Sequence, residues 1–227
     1  MQLKSFIILP LLFGAACGTI SNLQSATPKQ AEYSAPAHES TSASVTLSAS
    51  PEEIVIKPLA SGGENYFEAS IDYIGTISYS ASAHDDGVYN VTLTENANNL
   101  NYSGDPLKWD IGIDPSIPLT LDAHSSSGAL TLDLSAFTVT DLHADTSSGA
   151  ITATLPATDQ AYNAAVTSSS SAAMVTVLNN AQVNLTTLKT SSGSITLNAG
   201  SASTVSADIE TSSRVVTVSP SDGAAVT

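Results

Sequence analysis

The chain has very few basic residues. Lysine and arginine together number 6 against 21 aspartate and glutamate residues, so the formal net charge at pH 7 is −15. A nucleic-acid-binding protein needs clustered lysine and arginine to replace the counterions of the phosphates, and no such cluster occurs in this sequence. The same shortage disfavours electrostatic docking on an anionic lipid surface. We therefore expect no nucleic-acid partner.

Cysteine is almost absent as well. The single cysteine, Cys17, excludes an intramolecular disulfide and a cysteine-based zinc site within the chain. It ends a stretch, residues 1–17, with an apolar run Phe6–Phe13 that is too short to span a bilayer but suits a signal peptide. Small residues before the cysteine resemble a lipobox. We predict a lipoprotein-type signal peptide with lipidation at Cys17; the alternative is an ordinary secretory leader cleaved near Ala16.

Large apolar residues are scarce in residues 18–50, which are rich in Ser, Thr, Ala and Pro. Such a composition buries too little surface to offset chain entropy and predicts a disordered tether. Residues 51–118 instead show short alternating apolar and polar runs, typical of β-strands, and contain most of the aromatic residues. The segment HDDG at 84–87 indicates a turn, so we expect a hairpin over residues 71–95.

A Ser/Thr-rich motif recurs along residues 119–220. Its copies are SSSGALTLDL at 125–134, TSSGAITATLP at 146–156, SSSSAAMVTVL at 168–178, TSSGSITLNAG at 190–200 and TSSRVVTVSP at 211–220. A period near 21 residues with one turn per repeat is typical of a β-solenoid, in which each repeat forms one coil. We predict an all-β, single-stranded, β-helix-like rod of about five coils, capped by an antiparallel region over 51–118 and followed by a tail, 221–227.

The repeat also predicts the inner face and the corner of each coil. We expect a positive φ at the corner glycines, with Ala172 and Arg214 in the glycine position of two coils. Period-two alternation predicts two inward stripes. The first stripe comprises Leu130, Leu132, Ile151, Ala153, Ile195, Leu197, Val216 and Val218; the second comprises Leu121, Ala123, Leu142, Ala144, Ala165, Thr167, Ala207 and Ile209.

The sequence carries no motif that selects a catalytic centre, and we expect no catalytic residue and no cofactor. A shift of 21 residues places His143 beside Asp122 and His124 beside Asp145 on adjacent coils; these four residues are called the His/Asp cluster. Charge complementarity on the solvent face is the leading interpretation. A weak metal site and an acid–base pair are the alternatives. The same register places Ser168, Lys189 and Glu210 in one row.

The run LKWDIGIDPSIPLTLDAHSSSGALTLDLSAFTVTDLHADTSSGAITATLP, at 107–156, resembles the toast-rack domain family. The matching residues are Trp109, Asp110, Pro115, Pro118, Leu132, Asp133, Leu134, Ser135, Gly149 and Pro156. More distantly, the chain is similar to the C-terminal β-domains of cell-wall-active antibiotic response proteins and to adhesin-type β-solenoids. The resemblance implies a β-solenoid on a bacterial envelope protein and implies no catalytic residue.

Together these features predict a lipid-anchored bacterial envelope protein that faces outside the cytoplasm. Its rod would be a non-catalytic, adhesin-like module that binds another envelope protein or a glycan, although the sequence identifies no binding residue. One alternative is a sensor or accessory protein of a cell-envelope stress response. Another is a carbohydrate-active enzyme of the envelope, which would need exposed aromatic residues for sugar stacking, and few follow Tyr102.

Overall fold

A computed structural model describes residues 24–60, 63–97, 100–158, 160–212 and 214–227. All regular structure in these residues is β-strand, which confirms the predicted all-β class. None of the described residues forms a helix that is long and apolar enough to cross a membrane. The predicted leader, Cys17 and residues 18–23 lie outside the described residues.

The described residues form twenty strands. They are β1 Gln24–Ser25, β2 Lys29–Pro36, β3 Ser42–Ala49, β4 Glu53–Pro58, β5 Asn65–Tyr73, β6 Thr76–Ala83, β7 Val88–Asn96, β8 Leu100–Asn101, β9 Lys108–Ile113, β10 Leu119–Ser125, β11 Leu130–Asp133, β12 Val139–Thr146, β13 Ile151–Leu155, β14 Tyr162–Ser168, β15 Ala173–Val177, β16 Gln182–Thr190, β17 Ile195–Ala199, β18 Thr204–Thr211, β19 Val216–Pro220 and β20 Ala225–Val226.

Two nine-stranded sheets enclose the core. The strand order is β6-β7-β3-β10-β12-β14-β16-β18-β20 in sheet A and β2-β5-β9-β4-β11-β13-β15-β17-β19 in sheet B, and β1 pairs separately with β8. Each coil contributes one strand to each sheet. The pairs run from β7 with β9, through β3 with β4 and β10 with β11, to β18 with β19. The described rod therefore has seven coils where the repeat alone predicts about five.

The predicted antiparallel cap is present at one end of the rod. Strands β2 and β5, β5 and β9, and β6 and β7 pair antiparallel, whereas the repeat strands pair parallel. The turn at 84–87 joins β6 to β7, so the predicted hairpin forms. Aromatic rings fill this end: the centroids of Tyr33 and Tyr79 lie 4.8 Å apart, and those of Tyr66 and Tyr89 lie 5.6 Å apart.

The predicted tether over 18–50 is wrong where the structure describes it. Strands β2 and β3 lie within it, and β3 pairs in parallel with β10 on one side and with β7 on the other. The inward side chains of β3 are Ala43, Val45, Leu47 and Ala49, all buried. Composition concealed this strand because its four inner residues alternate with Ser and Thr, yet such alternation is typical of a strand with one buried face and one exposed face.

The other predicted boundaries also require correction. The break at 118/119 does not divide the fold, because the coil of β3 and β4 stacks between the coil of β7 and β9 and the first repeat coil. The predicted tail, 221–227, contains β20, which pairs with β18. Both corrections have one cause: a strand edge exposes unpaired N–H and C=O groups, and the next available segment pairs with them.

A buried hydroxyl group holds the corner of each of the first three repeat coils to the coil before it. Thr146 is buried; its Oγ1 donates a hydrogen bond to the carbonyl of Gly128 in the preceding coil (3.1 Å) and accepts one from the N–H of Gly149 (3.0 Å). Ser125 and Ser168 make the equivalent pair of bonds. The hydroxyl therefore satisfies one backbone donor and one backbone acceptor that would otherwise be buried without a partner.

Close stacking of corners explains the glycines. A Cβ built on Gly149 would overlap the carbonyl of Gly128, and one on Gly193 would overlap the carbonyl of Ser171. The positive φ predicted for these glycines is wrong, since among glycines that geometry occurs at Gly75, Gly87 and Gly223. Glycine is required at these corners because a side chain would not fit between neighbouring coils, and not because the backbone is left-handed.

The third repeat coil departs from the register predicted by a uniform shift. The corner N–H bound by Ser168 belongs to Ser171, so Ser171 and not Ala172 occupies the glycine position. In β14 the inward residues are Ala164 and Val166; the predicted Ala165 and Thr167 lie on the outer face. Unequal coil lengths cause the slip, because moving a strand by one residue exchanges its two faces.

Most other predicted inner residues are buried. At the far end of the rod, Val216 and Val218 pair with Ile195 and Leu197 in register but are 41% and 39% exposed, since β19 is an edge strand.

Replacing Gly149 with alanine should destabilise the rod by about 3 kcal/mol, because the new methyl group must force two backbones apart in a packed interior. Chemical denaturation of purified protein measures this loss. Ser147→Ala, at an exposed position in the same corner, is the matched control and should change stability by about 0.5 kcal/mol or less. Equal stability of the two variants would contradict the proposed corner packing.

Candidate functional site

The His/Asp cluster forms on the outer face of sheet A. Asp122 and His124 lie on β10, and His143 and Asp145 lie on β12. The parallel register pairs Asp122 with His143 and His124 with Asp145, as the 21-residue shift predicts. Residues two apart on a strand share a face, so the four side chains occupy the corners of a rectangle on adjacent coils.

Distances within the His/Asp cluster are unequal. His124 Nδ1 lies 2.7 Å from Asp145 Oδ2, which is a direct hydrogen bond. His143 Nδ1 lies 3.6 Å from Asp122 Oδ1, and His143 Nε2 lies 3.9 Å from Asp145 Oδ1. The last two are too long for hydrogen bonds. One ligand atom from each of Asp122, His143 and Asp145 lies within 4.8 Å of the other two.

The row predicted to contain Ser168, Lys189 and Glu210 is shifted by one residue. Lys189 pairs across the strands with Thr167 and Glu210, while Ser168 pairs with Thr190. Lys189 Nζ and Glu210 Oε2 form an exposed ion pair at 2.7 Å. An ion pair between exposed side chains contributes roughly 0–1 kcal/mol.

The buried Ser and Thr hydroxyls at the repeat corners have a structural role. The hydroxyls of Ser125, Thr146, Ser168 and Thr190 are buried and bonded to backbone groups. His38 stacks on Tyr89, and His84 lies in the turn between β6 and β7. These observations favour architecture over nucleophilic chemistry for the Ser/Thr motifs.

Sequence reasoning missed a buried carboxyl pair. Glu52 is fully buried and Glu95 is 7% exposed, and the N–H of Ser50 donates to Oε2 of both at 3.0 Å. The N–H of Ile74 donates to Glu95 Oε1 at 2.9 Å. Glu95 is the second-last residue of β7, which lies beside β3, and Glu52 follows β3 in the next corner. The missed signal is the period of β7, which points Glu95 inward after Val91 and Leu93.

Burial raises the pKa of Glu52 to about 9, and its hydrogen bond with the Glu95 carboxyl adds to the rise. Glu52 is therefore protonated at neutral pH. Between its ordinary pKa of 4.5 and about 9, the folded protein retains a proton that the unfolded chain releases. The contribution of Glu52 to stability is consequently greatest below pH 4.5 and is lost as the pH rises through this interval.

Glu52→Gln should weaken this pH dependence, because glutamine keeps a polar group of the same shape but does not titrate. Thermal midpoints at pH 5, 7 and 9 should fall more steeply for the parent protein than for Glu52→Gln. Glu53→Gln, at the neighbouring and more exposed position, is the matched control and should follow the parent. Parallel pH profiles for the parent and Glu52→Gln would contradict a protonated Glu52.

A groove of about 600 Å³ lies on the outer face of sheet B, near the cap. Its lining includes Glu32, Lys57, Leu59, Glu68 and Asp110. Gly112 leaves space there, and the Leu59 side chain packs over its backbone. The groove thus combines carboxylates, an amine and a short apolar wall, which is a surface able to accept several polar hydrogen bonds.

A family model described as the N-terminal domain of toast_rack, DUF2154, matches residues 24–178. The chain belongs to the toast-rack family. The match covers β1 to β15 and includes the His/Asp cluster, the buried carboxyl pair and the groove.

Two solved structures are among the matches to this chain, and the first shares its fold. A candidate cell adhesion protein from Clostridium sporogenes ATCC 15579 superposes with a TM-score of 0.62 at 11% identity, covering 86% of this chain and 100% of that one. A candidate adhesin from Bacteroides fragilis NCTC 9343 gives a TM-score of 0.32 at 10% identity, covering 88% and 96%. The comparison with curated proteins gives no match.

Proposed function

We propose that this toast-rack protein is a non-catalytic, adhesin-like interaction module of the bacterial envelope, lipid-anchored at Cys17 and facing outside the cytoplasm. Its partner is another envelope protein or a glycan. One observation carries the proposal. Apolar residues fill the interior of the coils, while the outer faces of the two nine-stranded sheets are exposed and available for binding.

Several further features support this proposal. The chain has the fold of a protein assigned as a candidate for cell adhesion. Its corner hydroxyls serve the backbone, which leaves them unsuited to nucleophilic attack. The groove on sheet B offers the concave polar surface that a glycan requires, and its carboxylates and lysine can bond sugar hydroxyls.

Binding to isolated bacterial cell walls tests the interaction module. Purified protein should sediment with the walls, and no soluble sugar fragments should be released. Leu132→Asp is the unfolded control, because it buries a carboxylate at a position that is 1% exposed, whereas Thr131→Asp on the outer face should bind normally. Release of fragments would favour the enzyme alternative, and sedimentation no greater than that of Leu132→Asp would contradict wall binding.

Cys17→Ala should abolish incorporation of labelled palmitate in a bacterial host and release the protein from the membrane fraction, since a lipid chain attaches to the cysteine sulfur. Ser21→Ala leaves the segment before the cysteine unchanged and should remain labelled. A Cys17→Ala protein that stays in the membrane fraction as fully as the parent would contradict the lipid anchor.

A further inference from the structure

The His/Asp cluster carries negative charge that no nearby cation neutralises. Strands β10 and β12 and their outer neighbours β3 and β14 contain no lysine or arginine. Lys189, two strands from His143, is paired with Glu210. With neutral histidines, Asp122 and Asp145 give the cluster two negative charges. Charge complementarity between side chains therefore explains only part of the arrangement.

Asp122, His143 and Asp145 lie close enough together to converge on one ion. Zinc binds imidazole nitrogen and carboxylate oxygen at about 2.0–2.2 Å, so two ligands of a tetrahedral ion lie roughly 3.4 Å apart. One ligand atom from each of Asp122, His143 and Asp145 lies within 4.8 Å of the other two, so small side-chain rotations would bring a single nitrogen of His143 and the two carboxylates to that spacing. His143 and Asp122 are each 52% exposed, so both side chains have room to adjust and an ion can enter from solvent.

His124 supplies an outer hydrogen bond. Its Nδ1 contacts Asp145 Oδ2 at 2.7 Å, while the other oxygen of Asp145 faces His143. A ligating carboxylate is commonly held in this way by a second side chain, and loss of such a partner typically lowers metal affinity about 10–100-fold. One oxygen is thus fixed and the other is free for a metal.

We propose that Asp122, His143 and Asp145 bind a zinc ion on the outer face of sheet A, and that His124 is a positioning residue for Asp145. The ion joins side chains of two adjacent coils, neutralises their two carboxylates and keeps a fourth coordination position for water or for a donor group of a partner. Nitrogen and oxygen ligands together favour Zn²⁺ over Ca²⁺, which prefers six to eight oxygens.

Calorimetric titration with zinc chloride tests the site. The full chain carries Cys17→Ala throughout, because a free thiol is itself a zinc ligand. We expect one Zn²⁺ per chain with a micromolar or lower Kd, no comparable binding of Ca²⁺, and a zinc-dependent rise in the thermal midpoint. His143→Ala should abolish all three zinc effects, and Asp122→Asn should weaken them.

Two variants separate the roles of the histidines. His124→Ala should raise the Kd for zinc about 10–100-fold without abolishing binding, as expected for a residue that positions a ligand. His84→Ala removes a histidine in the turn between β6 and β7, far from the cluster in the strand order, and should leave zinc binding unchanged. Circular dichroism confirms that each variant folds.

Three results would overturn the proposal. They are the absence of zinc binding at micromolar concentrations, zinc binding that survives His143→Ala, and an equal loss in His84→Ala. In the first case, a lower thermal midpoint of His143→Ala without any metal would assign the cluster to charge complementarity between coils.

Discussion

The contact between the corner of one coil and the corner of the next fixes the whole stack. The hydroxyl of Thr146 bonds simultaneously to a carbonyl of the preceding coil and to an N–H of its own corner. This bond pair repeats at Ser125 and Ser168, so the first three repeat coils each meet the preceding coil at one defined register. The register aligns inward residues into a continuous core and aligns outward residues into rows. Core and surface therefore depend on the same column of buried hydroxyls.

The side chains that bond to the corner backbone groups change from hydroxyls to carboxyls toward the cap. Ala49 lies beside Ser125 in sheet A and offers no hydroxyl, and the neighbouring corner N–H of Ser50 bonds to the carboxyls of Glu52 and Glu95 instead. Two adjacent carboxylates in an apolar site repel each other, and a proton on Glu52 removes that repulsion. The corner of the β3–β4 coil is thus satisfied by acids whose protonation links stability to pH, whereas the repeat coils beyond it use neutral hydroxyls.

Sequence reasoning predicted the parts of the fold that follow the repeat closely. The period of 21 placed Leu130 and Ile151 inside and paired His143 with Asp122, because no residue is inserted between these coils. It failed at Ala165, where the coil is longer and the faces exchange. It also missed the coil of β3 and β4, which lacks the Ser-Ser-Gly corner and stacks out of chain order. Spatial neighbours that are distant in sequence leave no periodic signal.

Because the buried corners set the stacking of the coils, the residues on the outer faces can vary. Since hydroxyls and glycines inside the rod set the register, an outward residue can change without altering how coils stack. A site on such a surface needs only two suitable residues per coil at matching positions. The His/Asp cluster meets that condition, because its two residues on β10 are two positions apart and so are its two residues on β12. A rod of this kind can therefore gain a ligand or partner site by few substitutions, which is how a regular architecture would serve the interaction role that we propose.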